Sequence, residues 1–370
     1  MKYYIIAGEA SGDLHGANLM NALYQEDPKA DIRFWGGDLM QAAGGALVKH
    51  YKDLAFMGFI EVLFNLKTIL NNISIAKKDI LEFQPDVIVF IDYPGFNLRI
   101  AKWAKTLGIK THYYISPQIW AWKENRITDI KRDVDKMYVI LPFEKDFYEN
   151  KHHYPVDFVG HPLIDAIHNQ PQVDGAIFRK ENHLNDQPII AILPGSRKQE
   201  ITKMLSLMLS IVQDFPDYQF VIAGAPSQEF SFYEKFITNN NIKFISNKTY
   251  ALLQNATAAL VTSGTATLET ALFKVPEVVC YKGSWASYQI AKRIITLKYI
   301  SLVNLIMDQE VVTELIQDDC TTQRIKEELT KILEGEQRSK LLAQYNQLEQ
   351  KLGGKGASQK TAQLIVADLK

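Results

Sequence analysis

Residues 86–91, Asp-Val-Ile-Val-Phe-Ile, form an apolar, β-branched run with no polar alternation. A strand of that kind is buried on both faces, which means the interior of a parallel sheet covered by helices. The same type of run recurs at residues 3–7, 110–115, 137–141 and 157–159. A second series follows at 189–193, 219–223, 243–245, 258–261 and 277–280. Helical spacing lies between most of them, first at 14–24 and finally at 321–333, 337–351 and 357–369. Alternating strand and helix predicts parallel sheets joined by crossover helices.

Residues 161–188 separate the two series and hold Pro162, Pro171, Gly175 and Pro188. A boundary there gives two doubly wound α/β domains of the Rossmann type, at 1–165 and 166–345. Residues 346–370 then form a C-terminal helical segment. Ligands bind such sheets at the carboxyl ends of the strands, and two facing domains would form a cleft. Lys and Arg number 41 against 42 Asp and Glu, a formal charge of −1 that argues against coating a nucleic acid. Two cysteines, Cys280 and Cys320, without a CxxC pair make neither a disulfide scaffold nor a zinc site and fit a reducing cytoplasm. The apolar run at 3–7 is too short for a signal peptide, and no run reaches the ~20 residues of a membrane span.

The strand-end turns carry the chemistry. Gly8-Glu9-Ala10-Ser11-Gly12-Asp13-Leu14-His15-Gly16 links a strand to a helix and lacks the dinucleotide spacing GxGxxG. It reads either as a ligand loop or as a plain turn capped by Ser11 or Asp13. Asp92 ends the strongest strand, where a general base would sit, or where a turn carboxylate would serve as a cap. Ser116-Pro117-Gln118-Ile119-Trp120-Ala121-Trp122 sets two tryptophans in a turn, as pocket walls or as core fillers.

In the second series, Ser196 and Gln199 have capping-box spacing, beside Arg197 and Lys198, whose charges suit a diphosphate. Ser263-Gly264-Thr265-Ala266-Thr267-Leu268-Glu269 leaves helix amides open to a phosphate and places Glu269 where it can accept ribose hydroxyls. Asp133-Val134-Asp135 precedes a strand instead of ending one and reads as a solvated charge cluster, not a metal-holding DxD. The eight histidines show no ligand spacing. Residues 57–64 are densely apolar and read as a core helix or as a lipid-facing patch through Met57, Phe59, Leu63 and Phe64. Lys123, Arg126, Lys131, Arg132 and Lys136 could draw such a patch to anionic lipid.

These motifs together resemble the lipid-A-disaccharide synthase family of Gram-negative glycosyltransferases. The match also includes Leu141-Pro142-Phe143-Glu144, Leu193-Pro194-Gly195-Ser196-Arg197 and Tyr299-Ile300-Ser301-Leu302-Val303-Asn304-Leu305. The resemblance implies a GT-B fold whose C-terminal helix returns to the first domain. It implies metal-free, cofactor-free, inverting transfer of 2,3-diacylglucosamine from its UDP conjugate to the 6-hydroxyl of 2,3-diacylglucosamine 1-phosphate. The products would be a β-1,6 disaccharide 1-phosphate and UDP. Asp92 would be the base, with Glu9 the second candidate. Ser196, Arg197, Gly264, Thr265, Ala266, Thr267, Glu269 and Asn304 would bind UDP. Ser11, Met57, Phe59, Leu63, Phe64, Trp120 and Trp122 would face the acceptor or its lipid. Relatives can carry a second acid where Gly95 stands, which leaves Asp92 as the carboxylate of its segment. The resemblance also implies a cytoplasmic protein peripheral to the inner membrane, and leaves a homodimer open. Other UDP-sugar transferases, the UDP-N-acetylglucosamine 2-epimerase and a non-catalytic UDP-sugar or lipid-binding module are the competing readings.

Overall fold

A computed structural model describes residues 1–54, 66–226, 228–262, 264–283 and 298–370, without the side chains of Leu66 and Lys67. Met57, Phe59, Leu63, Phe64 and Ser263 lie outside the described residues. The chain divides into two compact units, Met1–His168 with Leu352–Lys370, and Asn169–Lys351.

Among its described residues the first unit holds seven parallel strands: β1 (Lys2–Ala7), β2 (Asp31–Gly36), β3 (Ala46–His50), β4 (Val87–Ile91), β5 (Lys110–Tyr114), β6 (Lys136–Val139) and β7 (Asp157–Phe158). Their order is β3-β2-β1-β4-β5-β6-β7. All five residues of β4 are buried, as its unbroken apolar sequence requires. The helix Ala357–Leu369 packs on the helix Ala10–Glu26 in this unit. At its end Asp368 accepts from Lys110 Nζ at 3.0 Å and pairs with His112 Nε2 at 3.3 Å.

The second unit holds β8 (Ile189–Leu193), β9 (Gln219–Gly224), β10 (Ile242–Ser246), β11 (Ala256–Thr262), β12 (Glu277–Tyr281) and β13 (Glu314–Ile316), in the order β10-β9-β8-β11-β12-β13. Every described pairing in both sheets is parallel. This is the GT-B type of α/β architecture. Among the described residues no helix is long and apolar enough to cross a membrane.

Two local expectations need correction. Asp133-Val134-Asp135 is a solvated cluster only in part, since Asp135 is exposed among Lys131, Arg132 and Lys136 while Asp133 is not. Asp133 is buried against Arg132, and Asp135 accepts from the backbone N–H and hydroxyl of Thr111, fixing the start of β5 to that of β6. Nor does Ser11 or Asp13 cap its own helix, whose N-cap is Glu9. Asp13 instead accepts from Gly37, Leu39 and Met40 N–H at 2.7–3.1 Å and caps the separate helix Asp38–Ala43.

Candidate active site

Four neighbouring strands of the first unit, β1, β4, β5 and β6, lead at their carboxyl ends to Glu9, Asp92, Ser116 and Glu144 in turn. The strand order reverses between β1 and β4, where Ala7 lies beside Ile91. That reversal is the switch point at which doubly wound sheets bind ligands. The two candidate bases therefore leave adjacent strands. Gly8 is demanded there, because a Cβ on it would meet the Tyr93 ring at 2.4 Å.

Asp92 and Tyr93 are consecutive left-handed residues, φ 44° and 49°. Such strain persists where surrounding bonds fix it. The Asp92 carbonyl accepts from Asn97 Nδ2 at 2.7 Å and from the Tyr113 hydroxyl at 2.5 Å, and its N–H donates to Tyr114 O. Burial pushes the half-buried Asp92 carboxyl up to about 6, aided by the charges of Glu9 and Glu144 and opposed by the Tyr93 N–H. Glu9 and Ser11 are exposed beside it.

The two tryptophans part company. Trp120 is half-buried, sets its ring edge-on against Phe143 at 4.8 Å, and donates Nε1–H to Glu144 at 3.1 Å. Trp122 is 46% exposed, with Lys123 Nζ 4.3 Å and the Arg126 guanidinium 5.9 Å from its ring. The first is a packed wall and the second an amphipathic surface ring.

In the second unit the switch point falls between β8 and β11, where Leu193 pairs with Val261. The turns leaving these strands carry Ser196 and Arg197 on one side and Gly264–Thr267 on the other, so these expected UDP groups follow adjacent strands. Arg197, not Ser196, is the N-cap of the helix Lys198–Leu209. It makes no side-chain cap bond, so the expected capping box does not form. Ser196 N–H donates to Glu200. Gly264, at φ 127°, opens the helix Thr265–Leu272 and is exposed together with Thr265, while Ala266 is half-buried. Thr267 is buried, and its hydroxyl donates to Gly264 O at 2.9 Å, so it shapes the turn from within. Burial raises the Glu269 carboxyl, and Tyr250, which donates to it at 2.8 Å, holds it back.

Asn304, expected near the diphosphate, has its side-chain amide bonded within the second unit. It is fully buried. Its Nδ2 donates to Val312 O and Glu314 Oε1, and its Oδ1 accepts from Val311 and Val312 N–H. Its amide is spent on holding the segment before β13. Two residues escaped the sequence reading. Tyr250 carried no signal, lying 19 residues from its partner. Glu144 stood inside a recognised motif without an assigned role. Among the described residues no group of three or more His, Cys, Asp or Glu could hold a metal ion.

A family model described as lipid-A-disaccharide synthetase matches residues 3–367. The chain belongs to the lipid-A-disaccharide synthetase family. It is a glycosyltransferase of lipid A biosynthesis. The lipid-A-disaccharide synthase of Coxiella burnetii is 39% identical over 367 residues, covering 98% of this chain and 96% of its own. That of Idiomarina loihiensis is 39% identical over 375 residues, covering 98% and 97%. Solved structures share the fold alone. A UDP-GlcNAc 2-epimerase from Neisseria meningitidis, bound to UDP-GlcNAc, has a TM-score of 0.65 at 14% identity, covering 100% of this chain and 99% of its own. The glycotransferase of kitacinnamycin has a TM-score of 0.67 at 13% identity, with the same coverage. Membership in the synthetase family thus rests on sequence, and the fold agrees with it.

Proposed function

We propose that this family member moves 2,3-diacylglucosamine from UDP to the 6-hydroxyl of 2,3-diacylglucosamine 1-phosphate with inversion. Asp92 accepts the hydroxyl proton as that oxygen attacks the anomeric carbon. The bond from the anomeric carbon to the diphosphate oxygen breaks, and UDP leaves with the electron pair. The observation that carries this reading is Asp92 itself, a carboxylate at the switch point pushed to about 6. A base of that strength is ionised at neutral pH yet proton-hungry enough to assist an alcohol. Glu9 is the second candidate for base, and Ser11 and Trp120 adjoin the acceptor. Arg197 and the amides opened by Gly264, Thr265 and Ala266 would take up the charge growing on the diphosphate. Glu269 would hold the ribose. Trp122, with Lys123 and Arg126, suits an anionic membrane surface, consistent with a peripheral enzyme at the inner membrane.

The test is UDP release from UDP-2,3-diacylglucosamine in detergent with EDTA, with and without the acceptor. Acceptor-dependent release supports the reading. Release that ignores the acceptor, or turnover of unacylated UDP-N-acetylglucosamine instead, overturns it.

A further inference from the structure

Glu144 has no part in the reaction proposed above, yet it is the most heavily bonded carboxylate beside it. It is 1% exposed. Its Oε1 accepts from Ser116 Oγ at 2.6 Å and Trp120 Nε1 at 3.1 Å. Its Oε2 accepts from Ile140 and Leu141 N–H at 3.1 and 2.9 Å. One oxygen thus holds the turn after β5 and the other the turn after β6. Three of the four partners can only donate and so favour the ionised form, against burial, which pushes the carboxyl up.

What it holds needs holding. Ile115 begins the β5 turn at φ 64°, a left-handed conformation that a β-branched residue adopts only under constraint. Described bonds on this turn run from Ser116 and Trp120 to Glu144, from Ile115 N–H to Tyr138 O, and from the Tyr148 hydroxyl to Pro117 O. β5 adjoins β4, so the turn stands beside Asp92.

We infer that Glu144 is a positioning residue for the acceptor side: it clamps the strained β5 turn so that Ser116 and Trp120 stand fixed beside Asp92. The inference rests on the acceptor reading of that edge. A glutamine at 144 keeps the shape and exposes the logic. Its oxygen can serve Ile140 and Leu141, and its NH2 can donate to Ser116, but that NH2 then confronts the Trp120 N–H and releases the indole.

The experiment measures steady-state kinetics of Glu144→Gln and Trp120→Phe against both substrates, with equilibrium UDP binding and a pH profile. Both variants should raise the acceptor KM, Glu144→Gln by about five-fold or more, while donor KM and UDP affinity stay within about two-fold. Trp120→Phe keeps an aromatic six-membered ring, loses the N–H with the rest of the pyrrole ring, and leaves the buried Glu144 in place, so it guards against Glu144→Gln failing to fold. The acid limb of the profile should also move to lower pH in Glu144→Gln. The groups facing Asp92 are Glu9 from the β1 turn, Tyr113 from β5, the adjoining Tyr93, and Glu144, whose charge this variant deletes. Folded variants with unchanged acceptor KM and an unmoved acid limb overturn the proposal. So does an equal loss of UDP affinity, which a general loosening would produce. If Asp92→Asn kept its turnover, the assigned base would fall while the acceptor KM still judged Glu144.

Discussion

Asn97 Nδ2 lies 2.7 Å from the backbone oxygen of Asp92, so the candidate base is gripped by its main chain and its carboxylate is left to chemistry. The same amide lies 3.4 Å from Ile6 O and Ile91 O, tying the ends of β1 and β4 together. A strained backbone and a perturbed carboxyl are thus maintained by residues that need not touch substrate.

Asp92→Asn should lower turnover by about 100-fold or more and raise stability. The folded carboxyl is raised from 3.8 to about 6. The folded state therefore binds more protons between those values, and stability falls as pH climbs through that window. Above it the loss is complete, so at pH 7.5 the variant should gain about 1–3 kcal/mol. Denaturant melts at pH 7.5 check this, and a variant no more stable than the parent contradicts it.

Tyr250→Phe should weaken the donor without harming the chemical step. The hydroxyl occupies Oε1 of Glu269 at 2.8 Å, fixing the direction of the other oxygen. The ring is held by Phe273 at 5.1 Å and survives the substitution. Donor KM and the UDP dissociation constant should rise about three- to ten-fold with kcat nearly unchanged. Calorimetry with UDP decides it, and unaltered UDP affinity would remove Tyr250 from the site.

The buried histidines should make the fold acid-sensitive. Burial pushes His15 and His112 down to about 4 from 6.5. A third buried histidine, His161, lies near His15 and is pushed to about 3. Below pH 6.5 the unfolded chain takes up protons that the folded chain refuses, so this contribution falls as pH drops toward 4. Raised carboxyls such as Asp92 act oppositely, so the informative quantity is a difference between variants. Relative to the parent, His15→Leu and His112→Gln should each improve by about 1–2 kcal/mol between pH 7 and pH 5. A pH-independent gap between variant and parent would show that these rings are protonated in place.

Asp368→Ala should loosen the C-terminal helix. Its carboxylate meets Lys110, His112 and, at 3.7 Å, Lys136, and the His112 ring is fully buried. Removing the acceptor should cost about 1–3 kcal/mol and speed proteolysis of residues 357–370. Unchanged proteolysis would show that apolar packing alone secures the helix.

The most legible strands were those buried on both faces, although the partly exposed β7 and β10 were read as well. β4 and β8 announce themselves because nothing polar interrupts them. β2 was missed because Arg33 breaks its run. Its guanidinium lies over Phe83 and pairs with Asp79, so a charged residue serves a packed position. No residue of β3 is buried, and β13 has three residues, too short for a period to show. The same limit governs the site. Asp92 drew notice because it follows the end of a strand, and the Gly264 turn because small residues follow another, although Ala266 packs on the core and Thr267 is buried. For Asn304, residue type does not reveal that both ends of the amide are already engaged. Glu144 and Tyr250 act through partners distant in sequence, which a linear reading does not join.

The helix Ala357–Leu369 is the last regular element of the chain and belongs to the first unit. During synthesis on the ribosome, the second unit has all its elements once residue 351 has emerged. The first unit, begun earlier, must wait for Leu352–Lys370 before the helix Ala10–Glu26 is covered. The half that carries Asp92 is started before the other unit and completed after it, so truncated or stalled chains lose the candidate base's scaffold before they lose the unit proposed to hold UDP.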